Sequence, residues 1–337
     1  MEVFEARNVH AVLPEISAAI MMRGVERTSR NGPVLVFPTP VTIRYCKPME
    51  RVVFWPQRNA NPFLHLFEAL YHIAGRNDVP FLQQFVGRMA DFSDDGKSFH
   101  GSYGHRWRLA YGKDQLHFII KGLTKNKDCR RQVLQIWDAE LDLGRDSKDL
   151  PCNCTCTFQV NSAGLLDLVV FNRSNDLLLG ATGVNAVQFS VLQEFIASCI
   201  NVPVGQYWQV SANMHAYLNK DLEKCKPIAT AERDPWSRRQ PYNPYVDTIG
   251  KVAPLPLFSA GETRDLWEND LLTFMQEGTK AGYRTQFFSG VAVPMLKVHE
   301  AYRQVGAVPD VFIQALSIKA MDWSRVVWEW LDRRRKE

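Results

Sequence analysis

Two apolar runs followed by a long helical segment constrain the fold of this chain more than any other feature. The runs at residues 154–160 and 165–171 flank Asn-Ser-Ala-Gly, a sequence typical of a β-hairpin turn. The segment at 186–200 repeats apolar residues at helical spacing along one face, which predicts a buried central helix. A hairpin together with buried helices predicts an α+β fold.

The rest of the sequence divides into shorter predicted elements. The segment 62–74 repeats apolar residues at helical spacing before Gly75, which predicts a helix that ends there. Residues 86–106 are rich in Gly, Asp and Ser, so we predict a long surface loop. The remaining predictions are strands at 131–137, 207–210 and 214–218, irregular structure at 226–256, and a helix at 311–337.

Length and composition favour one domain. The chain has 337 residues, 46% of them apolar, which is enough core for one large domain or two small ones. No repeat, low-complexity tract or interior linker interrupts it. We therefore expect a single catalytic domain over 1–337, with a divergent helical extension at about 310–337.

The charge balance argues against nucleic-acid binding. Forty Lys and Arg residues face 36 Asp and Glu residues, a net charge of +4, whereas duplex DNA requires a strongly basic face. Such a small excess suits a site that binds small anions through a few arginines. The basic end at 333–337 is predicted to be a solvated helix terminus, which the helix dipole favours.

The cysteines and the N-terminus predict a cytoplasmic protein. Seven cysteines is an odd number, the first seven residues include acidic side chains and no apolar core of a signal peptide, and no run is long enough to span a membrane. We therefore expect free thiols in a reducing compartment and no membrane partner.

Three alternating cysteines form the densest chemical motif. On a strand, Cys152, Cys154 and Cys156 would share one face, and an extended backbone holds their sulfurs too far apart for one zinc ion. We expect no metal there, and small half-buried side chains at Cys154 and Cys156. Cys152 follows Pro151 at the start of the strand, where nearby arginines would lower the pKa of an exposed thiol and make it a nucleophile.

A zinc deaminase is excluded by spacing. Those enzymes use Pro-Cys-x-x-Cys with His-x-Glu. Here Cys152 and Cys154 are one residue too close, and His65 and Glu68 are one residue too far apart.

Other polar residues allow two interpretations each. Arg173 beside Ser174 is either a phosphate clamp or a turn with a surface ion pair. The adjacent Arg130 and Arg131 carry a weaker signal, because most dibasic pairs are solvated. Glu68, on an apolar helix face, would have a raised pKa, which suits a general acid or base as well as a buried structural group.

Seven motifs occur in the order found in thymidylate synthases and the related deoxynucleotide hydroxymethylases. The resemblance spans about residues 30–217, and its strongest part is 130–217. In chain order the motifs are Arg30-Asn31-Gly32, Phe67-Glu68-Ala69-Leu70, Gly101-Ser102-Tyr103-Gly104-His105-Arg106-Trp107-Arg108, Cys129-Arg130-Arg131, Leu150-Pro151-Cys152, Arg173-Ser174-Asn175-Asp176 with Leu179-Gly180, and His215-Ala216-Tyr217.

The resemblance implies roles for these residues. Cys152 would attack C6 of a pyrimidine deoxynucleoside monophosphate, Glu68 would move protons through water, and Tyr103 would assist loss of the C5 proton. The co-substrate would be 5,10-methylenetetrahydrofolate. The implied binding residues are Arg30, Arg173 and Ser174 for phosphate, joined by Arg130 and Arg131 from a second subunit, His215 and Tyr217 for the 3′-hydroxyl, Asn185 for the base, and Asp176 and Gly180 for the folate.

The family also implies a fold: a mixed sheet with a buried central helix, dimerising through the sheet face. An asparagine at 185 can both donate and accept a hydrogen bond, which suits uracil, whereas aspartate would suit cytosine.

Four departures from the synthase pattern concern the product. Asn153 replaces the histidine after the nucleophile, and the segment 181–185 is one residue longer than in synthases. The loop at 88–92 lacks the two tryptophans that pack against folate, and the C-terminus lacks the short apolar closing tail. Smaller residues at the loop would let water attack the methylene intermediate.

These departures predict a deoxyuridylate hydroxymethylase of the kind used in phage DNA modification. The alternatives are a divergent thymidylate synthase and a deoxycytidylate or cytidylate hydroxymethylase. A different class, a non-catalytic nucleotide-binding relative acting as an interaction protein, is disfavoured by the intact Cys152 and Glu68.

Overall fold

The computed structural model describes residues 1–231, 243–247 and 250–335. Within these ranges ten strands form two sheets. The strands are β1 (Glu2–Ala6), β2 (Val25–Arg27), β3 (Val34–Val36), β4 (Val41–Tyr45), β5 (Val133–Gln135), β6 (Asn153–Val160), β7 (Leu166–Asn172), β8 (Asn175–Asp176), β9 (Val204–Ser211) and β10 (Met214–Tyr217).

Both sheets are mixed, as the resemblance predicted. The larger has the order β1-β4-β9-β7-β6-β5, in which β1 with β4 and β7 with β9 are parallel. The smaller has the order β2-β3-β10-β8, in which β8 and β10 are parallel. The hairpin predicted at 154–160 and 165–171 is confirmed as β6 and β7, and the predicted strands at 131–137, 207–210 and 214–218 are confirmed within β5, β9 and β10.

The described α-helices flank these sheets and continue to the C-terminus. They are α1 (Val9–Arg23), α2 (Pro62–Ile73), α3 (Val79–Gln83), α4 (Tyr103–Arg108), α5 (Gln115–Lys125), α6 (Ala139–Asp142), α7 (Val184–Cys199), α8 (Leu222–Ala231), α9 (Arg264–Glu277), α10 (Val293–Val305), α11 (Pro309–Ala315) and α12 (Met321–Asp332). No helix of the described residues is long and apolar enough to cross a membrane.

The predicted buried central helix is confirmed as α7. Every residue from Asn185 to Ala197 is buried, and α7 packs against α2. The helix predicted at 62–74 is confirmed as α2. Its start is fixed by the Asn61 side chain, which accepts hydrogen bonds from the N–H groups of Phe63 (3.1 Å) and Leu64 (3.2 Å). These two helices hold one end of the candidate site.

A bulge changes the face of the cysteine strand. The register of β6 against β7 shifts between Asn153 and Thr155, which leaves Cys156 buried and Cys154 half-buried. The prediction that the three cysteines share one face is therefore wrong, because a bulge inserts an extra residue into the alternation.

The prediction of a surface loop at 86–106 is wrong at its C-terminal end, where α4 begins and packs into the core. Gly104 lies so close to α2 that an added Cβ would be 2.2 Å from the carbonyl oxygen of His72. The charge of Arg106 is buried because Asp142 accepts two of its hydrogen bonds, at 2.7 and 2.8 Å. Paired charge and a close glycine thus produce a buried helix from a polar sequence.

The C-terminal predictions also need correction. The helix predicted at 311–337 is two helices, α11 and α12, with 336–337 outside the described residues. Its basic end is partly packed: the Arg334 guanidinium lies 3.7 Å from the Trp330 ring centroid and donates to Asn59 at 3.1 Å. The irregular segment predicted at 226–256 begins inside α8, and its residues 232–242 and 248–249 lie outside the described part.

Candidate active site

A cavity of about 370 Å³ lies between α2, the start of α4 and the start of α7. Its polar lining includes Glu68, His72, Tyr103, Asp149 and Asn185, together with Arg88 and Ser102. Its apolar lining includes Leu64, Leu82, Val86, Met89 and Phe92. The cavity thus brings together three of the predicted site residues, Glu68, Tyr103 and Asn185, and the loop that the sequence analysis placed against folate.

His72 connects two predicted catalytic residues. Its Nε2 lies 3.8 Å from Glu68 Oε1, and its ring stacks on Tyr103 with the centroids 5.3 Å apart. Its Nδ1 accepts a hydrogen bond from the Gly104 N–H at 3.1 Å, so the neutral ring carries its proton on Nε2, facing Glu68. Sequence analysis missed His72, although it lies four residues after Glu68 on the same helix face.

Tyr103 lies next to the proposed nucleophile. Its phenol is close enough to interact with the backbone of Cys152. Burial, followed by the negative charges of Cys152 and Asp149, raises the pKa of Tyr103 well above its ordinary value. The phenol therefore keeps its proton, which leaves it able to donate a hydrogen bond.

Cys152 is half-buried immediately before β6, and its carbonyl oxygen accepts a hydrogen bond from the Arg173 N–H at 3.0 Å. Arg173 donates through Nε to the Pro151 carbonyl (2.9 Å) and through Nη2 to the Leu150 carbonyl (3.1 Å), and it stacks over Trp137. Burial raises the pKa of Cys152 more than Arg173 lowers it. The predicted lowering of this pKa is therefore wrong for the chain without substrate, since desolvation is the larger effect.

Arg30 reaches the same segment as Arg173. Its Nη1 and Nη2 donate to the carbonyls of Ser147 (2.9 Å) and Lys148 (3.0 Å). Two of the predicted phosphate-binding arginines therefore flank the stretch that leads into Cys152. Ser174 follows Arg173 and is half-buried.

His215 and Tyr217 lie on β10, between β3 and β8. Their rings are 5.4 Å apart at 86°, and Tyr217 Oη accepts a hydrogen bond from Asn31 Nδ2 at 3.5 Å. Burial lowers the pKa of His215, which favours a neutral ring that can both donate and accept. The structure thus brings the predicted sugar-binding pair together with the Arg30-Asn31-Gly32 loop.

Asp176 caps the turn Leu177–Ala181 and keeps one oxygen unused. Its Oδ1 accepts from the N–H groups of Leu178 (2.8 Å) and Leu179 (2.7 Å). Its Oδ2 is buried and accepts no hydrogen bond from the described residues. Burial and then the charge of Asp221 raise the pKa of Asp176 to about 6.

Asn185 is the second residue of α7 and is buried. Its Nδ2 donates to Asn175 Oδ1 at 3.4 Å, so its carbonyl oxygen is oriented by β8. Gly180 allows this approach, because an added Cβ would lie 2.2 Å from Asn175 Oδ1. Asn185 is therefore held in the first turn of α7, where it lines the cavity.

Arg130 and Arg131 are not part of this cavity. They are exposed after α5, where they line a separate surface depression with Lys125 and Asn126. In the described residues, no group of three or more His, Cys, Asp or Glu side chains is arranged to hold a metal ion.

Comparison with known proteins defines the class. Residues 14–239 match the sequence model of the family described as "Thymidylate synthase". Because that match covers most of the chain, the chain belongs to the thymidylate synthase family, whose members are one-carbon transferases. The family and enzyme class predicted from the seven motifs are thereby confirmed.

Individual relatives are more specific. A deoxyuridylate hydroxymethyltransferase of Pseudomonas phage M6 is 47% identical over 339 residues, covering 99% of this chain and 95% of the phage protein. One from Bacillus phage SP01 is 39% identical over 191 residues, covering 53% of this chain and 50% of that protein. The thymidylate synthase of Malacoplasma penetrans is 31% identical over 133 residues, covering 39% of this chain and 44% of that enzyme.

Proposed function

We propose that this enzyme converts dUMP to 5-hydroxymethyl-dUMP, using 5,10-methylenetetrahydrofolate and water. One observation carries the proposal: the cavity combines a polar lining suited to one-carbon transfer with an apolar lining in which Met89 and Phe92 stand at the folate-facing loop. No tryptophan is among the described residues that line it. The nearly full-length similarity to the M6 phage enzyme favours the same product.

The catalytic steps follow from the positions of three side chains. Cys152 adds to C6, which makes C5 nucleophilic towards the methylene group of the folate. Glu68, paired with His72 at 3.8 Å, moves protons at O4 and at the folate nitrogen. Tyr103, a phenol next to the nucleophile, assists removal of the C5 proton.

The binding residues divide by ligand group. Arg30, Arg173 and Ser174 hold the phosphate, and His215 and Tyr217 hold the 3′-hydroxyl. Asn185 recognises O4 and N3–H of uracil. Asp176 and Gly180 bind the folate, and the unused, buried Asp176 Oδ2 supports this role, because a buried acceptor is stabilised by a ligand N–H.

We also propose a homodimer formed through the larger sheet. Val133 and Phe171, on one face of that sheet, are 50% and 39% exposed. Arg130 and Arg131 would then complete the phosphate site of the other subunit. The test mixes inactive Cys152→Ser and Arg130→Ala chains: recovered activity supports shared sites, and no recovery at any ratio contradicts them.

The domain assignment remains part of the proposal. We propose that residues 1–337 form one catalytic domain, with the helices beyond about residue 310 as an extension of it. Packing of Phe63 in α2 against Trp330 in α12, with ring centroids 5.2 Å apart, supports this arrangement.

Mass spectrometry of the nucleotide product tests the proposed function. The enzyme is incubated with methylenetetrahydrofolate and either dUMP or dCMP. We expect a hydroxymethyl adduct of dUMP and no reaction of dCMP. A methyl adduct with dihydrofolate would identify the enzyme as a thymidylate synthase. A dCMP adduct would show that Asn185 does not select uracil. The absence of product from either nucleotide would favour a binding protein.

A further inference from the structure

A second acid, Asp149, lines the cavity and has no role in the chemistry proposed above. Among the described lining residues, Glu68 and Asp149 are the two carboxylic acids. Asp149 is half-buried and lies three residues before Cys152. It lies one residue before the Leu150-Pro151-Cys152 motif and so belongs to no motif of the sequence.

The backbone around Asp149 is fixed from several sides. Its N–H donates to Ser147 Oγ at 3.1 Å, and that hydroxyl donates to Asp94 Oδ2 at 2.7 Å. Gly101 approaches so closely that an added Cβ would lie 2.5 Å from the Asp149 carbonyl oxygen. The carboxyl group is therefore held in place before any ligand binds, which is a requirement for efficient catalysis.

The two carboxyl oxygens of Asp149 differ. Oδ2 accepts a hydrogen bond from the Gly101 N–H at 2.8 Å. Oδ1 accepts no hydrogen bond from the described residues, so it is available to a water in the cavity. Burial raises the pKa of Asp149, which makes its carboxylate a stronger base than an exposed one.

Glu68 and Asp149 are placed for different tasks. Glu68 faces His72, a group that can exchange a proton with it, whereas Asp149 is anchored by a backbone N–H and lies on the nucleophile segment. Two acids in different surroundings can serve different steps of one reaction. The reaction proposed above has proton transfers at the pyrimidine and the folate and a separate one from the attacking water, which two acids can share.

We propose that Asp149 is the general base for the water that attacks the methylene group on C5, a role that rests on the proposed hydroxymethylase function. When the folate has left, C5 carries an exocyclic methylene and C6 carries Cys152. The water oxygen bonds to the methylene carbon, and one water proton passes to Asp149 Oδ1. The methylene π electrons form the enolate, which expels the Cys152 thiolate and restores the C5–C6 double bond. Asp149 then releases the proton through solvent to Glu68, where it replaces the proton that Glu68 gave to the folate nitrogen before the folate left.

A single-turnover experiment with Asp149→Asn and dUMP tritiated at C5 tests this role. Asparagine keeps an oxygen that accepts from Gly101, but it cannot take a proton. Tritium release reports formation of the methylene intermediate, and chromatography reports the hydroxymethyl product. We expect tritium release to match wild type while hydroxymethyl formation slows by about 10²-fold or more. The control is Asp146→Asn, an exposed neighbour, for which both rates should be unchanged.

The possible outcomes separate the two proposals. Unchanged hydroxymethyl formation in Asp149→Asn, or an equal loss of both signals, would overturn the role of Asp149. If that variant does not fold, Asp149→Glu replaces it: its displaced carboxylate should slow hydroxymethyl formation relative to tritium release by about tenfold, and a ratio equal to wild type would overturn the role. A wild-type enzyme that forms no hydroxymethyl product would overturn the proposed function itself.

Discussion

The polar and apolar linings of the cavity are built in different ways. His72 and Tyr103 are held by the stacking of their rings and by the hydrogen bond from the Gly104 N–H to His72, and Glu68 lies 3.8 Å from His72. Met89 and Phe92 lie at the two ends of a short 3-10 helix in which no residue is fully buried, and Phe92 is 45% exposed. We infer that the polar lining fixes the chemistry shared by the family, whereas the apolar lining decides which acceptor reaches the intermediate.

Removing the proposed nucleophile should have the largest effect on activity. Cys152→Ser should lower turnover by about 10⁴-fold or more, because a serine hydroxyl is a far weaker nucleophile, while nucleotide binding persists. Steady-state kinetics and calorimetric titration of dUMP measure the two effects. Cys154→Ser, half-buried on the same strand, is the matched control, and turnover in Cys152→Ser equal to wild type would refute covalent addition.

Neutralising Glu68 should have the next largest effect. Glu68→Gln keeps the shape of the side chain and its position near His72, but it removes the proton carrier. We expect kcat to fall by about 10²- to 10³-fold with little change in KM for dUMP. The exposed Glu140→Gln is the control, and a change confined to KM would mean that Glu68 only binds substrate.

Asp176 should make stability depend on pH. Its pKa is raised to about 6 from 3.8, so between these pH values the folded protein retains a proton that the unfolded chain has lost. The free energy of unfolding should therefore fall as pH rises from about 4 to about 6, by up to about 3 kcal/mol, and then level off.

Asp176→Asn should lack that fall, since asparagine caps the turn equally well but does not ionise. Urea unfolding of wild type and variant at several pH values gives the difference. The same pH dependence of the free energy of unfolding in wild type and variant would show that the surroundings do not destabilise the ionised form of Asp176. Folate at saturation should reduce the difference if Oδ2 binds the ligand.

A tryptophan in the apolar lining should have the smallest effect on rate but should change the product. In Phe92→Trp the larger ring should shield the intermediate from water and raise the fraction of methyl product a few-fold. Chromatography of dTMP against 5-hydroxymethyl-dUMP measures this fraction. Phe118→Trp, exposed on α5, is the control. Equal product ratios in both variants would show that the apolar lining does not determine the product.

Sequence reasoning succeeded where a pattern repeats locally. The hairpin of β6 and β7 and the buried helix α7 follow from periodicity, and the site motifs follow from their order. It failed where distant contacts decide the outcome. The burial of Arg106 depends on Asp142, the face of Cys154 depends on a bulge, and the raised pKa of Cys152 depends on how deeply the fold buries it.

Two parts of the cavity could not have been found from motifs alone. His72 and Asp149 belong to no quoted motif, and only the packing of α2 against Gly104 and of Gly101 against the nucleophile segment brings them to the site. The C-terminal helices α9 to α12 contribute core side chains such as Trp330, which a search for chemical residues does not detect.

Running the dUMP reaction in water labelled with ¹⁸O, followed by mass spectrometry of the product, identifies the terminal acceptor. Water as the terminal acceptor predicts that the heavy oxygen appears in the hydroxymethyl group of the nucleotide. An unlabelled methyl product accompanied by dihydrofolate would contradict water as the acceptor and would make hydride transfer the final step.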